Sequence, residues 1–216
     1  MNRKWLGPLL IAAAAVATSF IYARLPDQVP THWNFRGEID DWGPRFPYAY
    51  FGPLMGAALW ILLPVLRRID PRRRNYERFD ETFWVLLNVL TIGMLGLHAL
   101  TLGVALGYTV NASRAMLFGL GLMFAALGNY LPRLRSNWWM GIRTPWTLES
   151  EAVWRSTHRV GGRTFVAGGL VCMAAAFLPW VVAPWLSIAA LGGASLVPVV
   201  YSYVLWRRER EQPART

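Results

Sequence analysis

Six long apolar runs alternate with polar, Arg-bearing connections along the 216 residues of this chain. The runs cover about 5–23, 48–66, 83–107, 112–131, 164–182 and 184–206. Each approaches the ~20 apolar residues that a helix needs to cross a bilayer core. The pattern predicts an all-α membrane protein, a six-helix transmembrane bundle. An outer loop and a cytoplasmic interfacial helix are expected between the spans. Two sequence regions, 1–66 and 67–216, are expected to form one integral unit.

The first run has a second reading. A basic start and Ala15-Val-Ala17 look like a secretory signal with a cleavage site. The apolar run continues through Phe20, Ile21 and Tyr22, which suits a retained anchor better.

The distribution of Arg and Lys orients the bundle. Eighteen of these residues fall at the N-terminus, in the second-to-third and fourth-to-fifth connections and in the tail that carries Arg207, Arg208, Arg210 and Arg215. The opposite side holds four, Arg24, Arg36, Arg45 and Arg114. Cytoplasmic connections carry the excess of positive charge, so both termini are expected in the cytoplasm.

Composition agrees with a bilayer setting. The chain is 55% hydrophobic and 16% charged, with mean hydropathy +0.29 and net charge +10. A soluble domain carries about a quarter charged residues. The basic residues flank apolar runs rather than forming a nucleic-acid surface, so no nucleic acid is expected. Cys172 stands alone inside an apolar run and can form no internal disulfide. Glycines such as Gly52 and Gly56, Gly103 and Gly107, Gly168-Gly169 and Gly192-Gly193 are expected to admit close helix packing.

The outer loop, 24–47, is stiffened by Pro26, Pro30, Pro44 and Pro47, while Gly37 and Gly43 permit turns. Trp33, Phe35, Trp42 and Phe46 interleave with polar residues and suit a bilayer interface. His32, Asn34, Asp40 and Asp41 are its chemically capable groups. One His with carboxylates falls short of the three or four ligands zinc usually takes. No nucleophile, phosphate loop or cofactor motif accompanies them, so no catalytic residue, metal or cofactor is assigned. His32 and Asn34 are expected to bond local backbone and shape a recognition surface, with Gly37 and Asp40 beside them.

The inner connection is Trp-rich and Pro-kinked. Trp138 and Trp139 are expected at the interface, and Gly141-Ile-Arg-Thr-Pro145 as a turn. Thr147 is the expected N-cap of an amphipathic helix over 148–160, with Glu149 and Glu151 in its first turn. Trp154 and His158 lie four apart on it and can meet. Gly161-Gly162 is expected to break this helix or admit a close neighbour. The basic run through Arg67, Arg68, Arg72, Arg73 and Arg74 reads as topology and attraction to anionic lipid. An enzyme built from His32, Asp40, Arg143 and His158 is disfavoured, because the assigned topology puts the first two and last two on opposite sides. A transporter would want ionisable groups near mid-membrane, where His98 is almost alone.

Two segments resemble those of the SdpI family. The outer loop is similar at Pro26, Pro30, His32, Asn34, Gly37 and Asp40. The inner segment is similar at Gly128, Asn129, Asn137, Gly141, Ile142, Arg143, Thr144, Pro145, Trp146, Thr147, Leu148, Trp154, His158, Arg159 and Gly162. Ser136 departs from the pattern, where proline is more frequent, and the departure is expected to loosen the turn. The resemblance implies a multi-spanning bacterial plasma-membrane protein. It further implies immunity to a membrane-active peptide toxin and signalling through a cytoplasmic repressor. Candidate inner binding residues on this basis are Asn137, Gly141, Arg143, Thr144, Pro145, Trp146, Trp154 and His158.

Overall fold

The structure, a computed structural model, describes residues 3–34 and 36–211. Phe35 and Arg215 lie outside the described residues. The chain forms α1 (Arg3–Ile21), β1 (Gln28–Trp33), β2 (Ile39–Pro44), a short α2 (Arg45–Tyr48), α3 (Phe51–Ile69), α4 (Asp80–Ala105), α5 (Ala112–Tyr130), α6 (Pro145–Glu149), α7 (Glu151–Ala175) and α8 (Ala183–Glu211). Among the described residues, five segments are long and apolar enough to cross a membrane, by length and composition: Arg3–Arg24, Phe51–Ile69, Arg73–Ala105, Ala112–Arg133 and Ala183–Glu211.

Three expectations change. The outer loop is an antiparallel β-hairpin, β1 on β2, so the chain is mostly but not wholly helical. The separate interfacial helix over 148–160 does not form. Its residues divide between α6 and a continuous α7, and Gly161-Gly162 lies inside α7 without a break. A helix can keep glycines where a neighbour needs their space: a Cβ on Gly162 would sit 2.8 Å from the Gly128 carbonyl and from Pro132. The expected run over 164–182 also ends early, because α7 stops at Ala175 and turns replace helix before Ala183.

The helices pack as two groups of three. Helices α1, α3 and α4 contact one another, α7 packs extensively on both α5 and α8, and α4 against α5 joins the groups. Lipid tails are as apolar as the side chains, so helix association in a bilayer relies on close van der Waals fit. Between α5 and α7 that fit is backbone against backbone. A Cβ on Gly121 would lie 2.6 Å from the Gly169 carbonyl oxygen, and one on Gly169 would lie 2.5 Å from that of Gly121. Gly128 and Gly162 face each other in the same reciprocal way, at 2.8 Å both ways. The two glycines of each helix are seven residues, about two turns, apart and therefore share a face. Of the pairs singled out in the sequence, Gly52 faces His98, Gly56 faces Ile11, and Gly168 faces Ala190 and Ala194. Gly192 and Gly193 meet nothing within 4 Å. His98 bonds across helices, its Nε2 3.0 Å from Thr18 Oγ1 of α1.

The polar connections gather at two ends. At one, Lys4 pairs with Asp80 at 3.5 Å, Asn75 donates to the Ser136 carbonyl at 2.7 Å, and Arg210 pairs with Glu149 at 2.6 Å. At the other, the hairpin crosses the mouth of the bundle. Its Gly37 lies against Ser113, and its Arg36 stacks over the Trp180 ring at 5.2 Å.

Gly128→Val or Gly169→Val forces a side chain into facing backbone. Overpacking of this kind costs about 1–3 kcal/mol, so the thermal midpoint of the detergent-solubilised protein, followed by circular dichroism, is expected to fall. Gly193→Ala fills open space within a helix and is expected to leave the midpoint unchanged or raise it.

Candidate functional site

Two polar constructions stand at opposite ends of the bundle. The hairpin turns on Asn34, whose Oδ1 accepts from the Arg36 amide at 2.8 Å and the Glu38 amide at 3.1 Å. The Gly37 amide donates to the Asn34 carbonyl at 2.8 Å, and Gly37 adopts φ +79°, a conformation that favours glycine. His32 bonds across the strands rather than to local backbone: its Nδ1 lies 2.6 Å from Asp40 Oδ1, and both side chains are exposed. Thr31 donates to Asp41 at 3.1 Å one pair further along. Val29 is fully buried beneath the hairpin, alongside buried Leu25 and Ala49. Arg45 holds the base by donating to the Leu25 carbonyl at 2.9 Å and reaching Asp27 at 3.2 Å. The hairpin is thus a fixed platform whose tip and outer face carry His32, Asn34, Gly37 and Asp40.

The other end is built around Asn137, which is fully buried. Its Oδ1 accepts from the amides of Trp139 at 2.9 Å and Met140 at 2.7 Å. Its Nδ2 donates to the carbonyls of Arg135 at 2.9 Å and Met140 at 3.0 Å. One side chain therefore replaces the backbone pairing that this irregular segment lacks. The Tyr76 hydroxyl shares its proton between Asp70 Oδ2 at 2.9 Å and Asn137 Oδ1 at 3.2 Å. Asp70, 2% exposed, also accepts from the amides of Arg72 at 2.6 Å and Trp138 at 2.9 Å. The departure at Ser136 does not loosen the turn. Its hydroxyl accepts from Arg72, and the same guanidinium donates to the Leu148 carbonyl at 2.6 Å.

The remaining candidates lock this segment to α7 and α8. Trp154 is fully buried, donates from Nε1 to the Leu134 carbonyl at 3.0 Å, and stacks on His158 with ring centres 4.1 Å apart. Trp154 is therefore a core residue and not one resting in lipid headgroups. His158 Nδ1 lies 2.8 Å from the Trp154 carbonyl, while its Nε2 accepts from the Ile142 amide at 3.0 Å. This pairing puts the proton on Nδ1 and makes the ring neutral. Burial pushes its pKa down to about 4, opposed by the bond to Trp154. Gly141 adopts φ +100° and lies so close to His158 that a Cβ would strike the ring. Thr144, not Thr147, is the N-cap. Its Oγ1 accepts from the Thr147 amide at 3.1 Å, and Thr147 Oγ1 accepts from the Thr144 amide at 2.9 Å. Pro145 occupies the first turn, where a missing N–H is harmless. Thr144 Oγ1 also lies 3.1 Å from Ser202 Oγ of α8. Trp146 packs on Tyr203, ring centres 5.0 Å apart, and Arg210 with Trp206 holds the Glu149 carboxyl below its usual pKa. Arg143 stays exposed, donating to the Trp138 carbonyl at 2.6 Å, and Trp138 is 46% exposed.

The structure thus joins the inner candidates into one unit and leaves Arg143, Gly141 and Pro145 on its surface, with Trp138 beside them. The outer candidates form a separate surface. Of the partners of the inner unit, Asp70 and Arg72 were hidden inside a basic run read as topology, and Asn75 and Tyr76 follow directly after it. The Asp70-Pro71 step within that run was the available signal. Among the described residues no cluster of three or more His, Cys, Asp or Glu side chains is placed to hold a metal ion.

The two constructions fall within two matched families. Residues 9–57, which contain the hairpin, match a domain of unknown function, DUF1648. Residues 133–202, which contain the Asn137 segment, match the SdpI/YfhL protein family. The chain is 23% identical over 177 residues to the immunity protein SdpI of Bacillus subtilis (strain 168), covering 82% of this chain and 83% of that protein. No solved structure matches.

Asn137→Ala strands several buried backbone groups, each costing about 1–3 kcal/mol when unpaired. The thermal midpoint in detergent is expected to fall markedly more than for Arg143→Ala. For His158, the folded pKa near 4 lies below the ordinary 6.5, so the unfolded chain takes the proton first. Its contribution to stability is present above pH 6.5 and is lost as pH falls toward 4. Melting curves across this window should lose that part of their pH dependence in His158→Asn.

Proposed function

Because this chain is a membrane protein of the SdpI family, we propose that it confers immunity to a membrane-active peptide. In this reading it also relays the presence of that peptide to a cytoplasmic partner. The observation that carries the reading is the relationship to an immunity protein over 82% of this chain and 83% of that one. The fold suits the role: an ordered hairpin presents His32, Asp40 and a half-exposed Trp42 at one end of an apolar bundle.

In this reading the chain crosses the bilayer six times, with both termini in the cytoplasm. The sixth crossing begins after Arg163 within α7, the least apolar of the long helices. Its Gly168, Gly169 and Cys172 are buried against neighbouring helices and need not meet lipid. Arg155, Arg159 and Arg163 form an exposed row at the same end as the other basic connections. The hairpin is then extracellular and meets the peptide, while Trp138 and Arg143 face the cytoplasm and engage the partner. Such a relay requires two arrangements of the bundle with different affinity for the peptide.

Cells lacking the gene are expected to lose survival against a membrane-active peptide, and plasmid-borne wild type to restore it. Restoration by His32→Ala/Asp40→Ala at equal membrane abundance would remove the hairpin from the reading. Equal survival with and without the gene across a broad peptide panel would remove immunity. Arg143→Ala/Trp138→Ala is expected to retain immunity and lose co-purification of the partner.

A further inference from the structure

A cavity of about 360 Å³ opens at the hairpin end of the bundle, between the hairpin tip, the start of α5 and the turn from α7 to α8. Its walls divide by chemistry. Arg36 and Arg114 line it beside Trp33 and Trp180, while Met116, Leu117, Ala176 and Leu178 supply apolar surface. None of the described lining residues is acidic. The Arg36 guanidinium is held over Trp180 at 5.2 Å, which fixes the cation while leaving its N–H edge to bond an anion. Glu38, two residues away, is engaged by Asn34 Nδ2 at 3.0 Å. Two cations therefore converge on a partly apolar cavity with no carboxylate inside it.

The surroundings select the kind of anion. Phe177 is 69% and Val181 59% exposed beside the cavity, and Phe118 of α5 packs edge-on against Phe177. Exposed aromatic and aliphatic side chains at the end of apolar helices face acyl chains, whereas Trp and Arg favour the headgroup layer. The cavity thus stands where a phosphodiester and the upper part of a lipid chain lie. Guanidinium groups match phosphate oxygens with paired, charge-assisted hydrogen bonds.

We propose that this cavity is a binding site for one anionic phospholipid, its phosphate held between Arg36 and Arg114 and its chain lying against α5 and the α7–α8 turn. A lipid seated there bridges the hairpin tip to the α5–α8 group. The site goes beyond the immunity reading and does not require it.

Native mass spectrometry of the purified full chain, titrated with phosphatidylglycerol or phosphatidylcholine, tests the site. Wild type is expected to retain one phosphatidylglycerol in preference to phosphatidylcholine. Arg36→Ala/Arg114→Ala is expected to weaken that retention about tenfold, and Arg114→Ala, which leaves Arg36 on Trp180, is expected to weaken it with an unchanged melting curve. Arg114→Ala alone serves if the double variant does not fold. Arg68→Ala/Arg74→Ala, at the opposite end, is expected to retain the lipid as wild type does. Inorganic phosphate at equal concentration is expected not to displace it, since it lacks the apolar part; displacement would reduce the site to a simple anion site and overturn the proposal. Equal retention in the Arg36/Arg114 variants, or equal retention of both lipids, would also overturn it. So would an apolar peptide with a free C-terminal carboxylate that binds through these arginines while phosphatidylglycerol does not.

Discussion

The reciprocal glycine contact between α5 and α7 is the constraint on which much of this structure depends. With Gly121 against Gly169 and Gly128 against Gly162, two backbones touch directly over about two turns. That contact makes α7 one continuous helix and fixes its rotation. Rotation decides which residues face inward: Trp154, Thr157 and His158 are all fully buried. The segment from Leu134 to Ile142 is then built onto the face so exposed, through Trp154 Nε1 and His158 Nε2. Packing among helices thus determines the shape of a loop that has no helix or strand of its own.

The same loop is also determined from below, by the α3–α4 connection. Asp70 and Asn137 each accept several hydrogen bonds, and the Tyr76 hydroxyl joins them. A buried polar network of this kind is favourable only when nearly all of its members are satisfied. Here the arrangement specifies one geometry, because any displacement of the loop leaves a buried amide or carboxylate oxygen without a partner. What remains on its surface, Arg143 and Trp138, is presented on a rigid base. The candidate residues of the inner segment therefore divide into those that build the shape and those that display it.

Much of the helical framework was legible in the sequence, since apolar runs depend only on local composition. The cross-helix bond of His98 was also foreseeable from a lone polar residue in a span. Partners in space were not legible. Gly161-Gly162 was expected to break the helix or to admit a close neighbour, and it is the second that holds, because the missing side chains let Ile142 and Pro132 approach. Gly121 was not singled out, and Gly128 entered only through the family pattern, because seven-residue spacing means little until the facing helix is known. The hairpin was hidden by its prolines, which are unfavourable in central strands but tolerated in a two-stranded edge. Thr147 was the expected N-cap, whereas Pro145 suits the first turn of a helix, which places the cap at Thr144.

The hairpin has a mechanical consequence. Its base is fastened near α1 by Arg45 and Asp27, and Val29 is buried beneath its body. Its tip is fastened to the other group, by Gly37 on Ser113 and Arg36 on Trp180. It is therefore a strap across the seam between the two helix triplets. Spreading the triplets apart at that end stretches the strap, so a load borne by its tip is converted into leverage on the seam, and a rigid β-ribbon carries that leverage with little loss to bending.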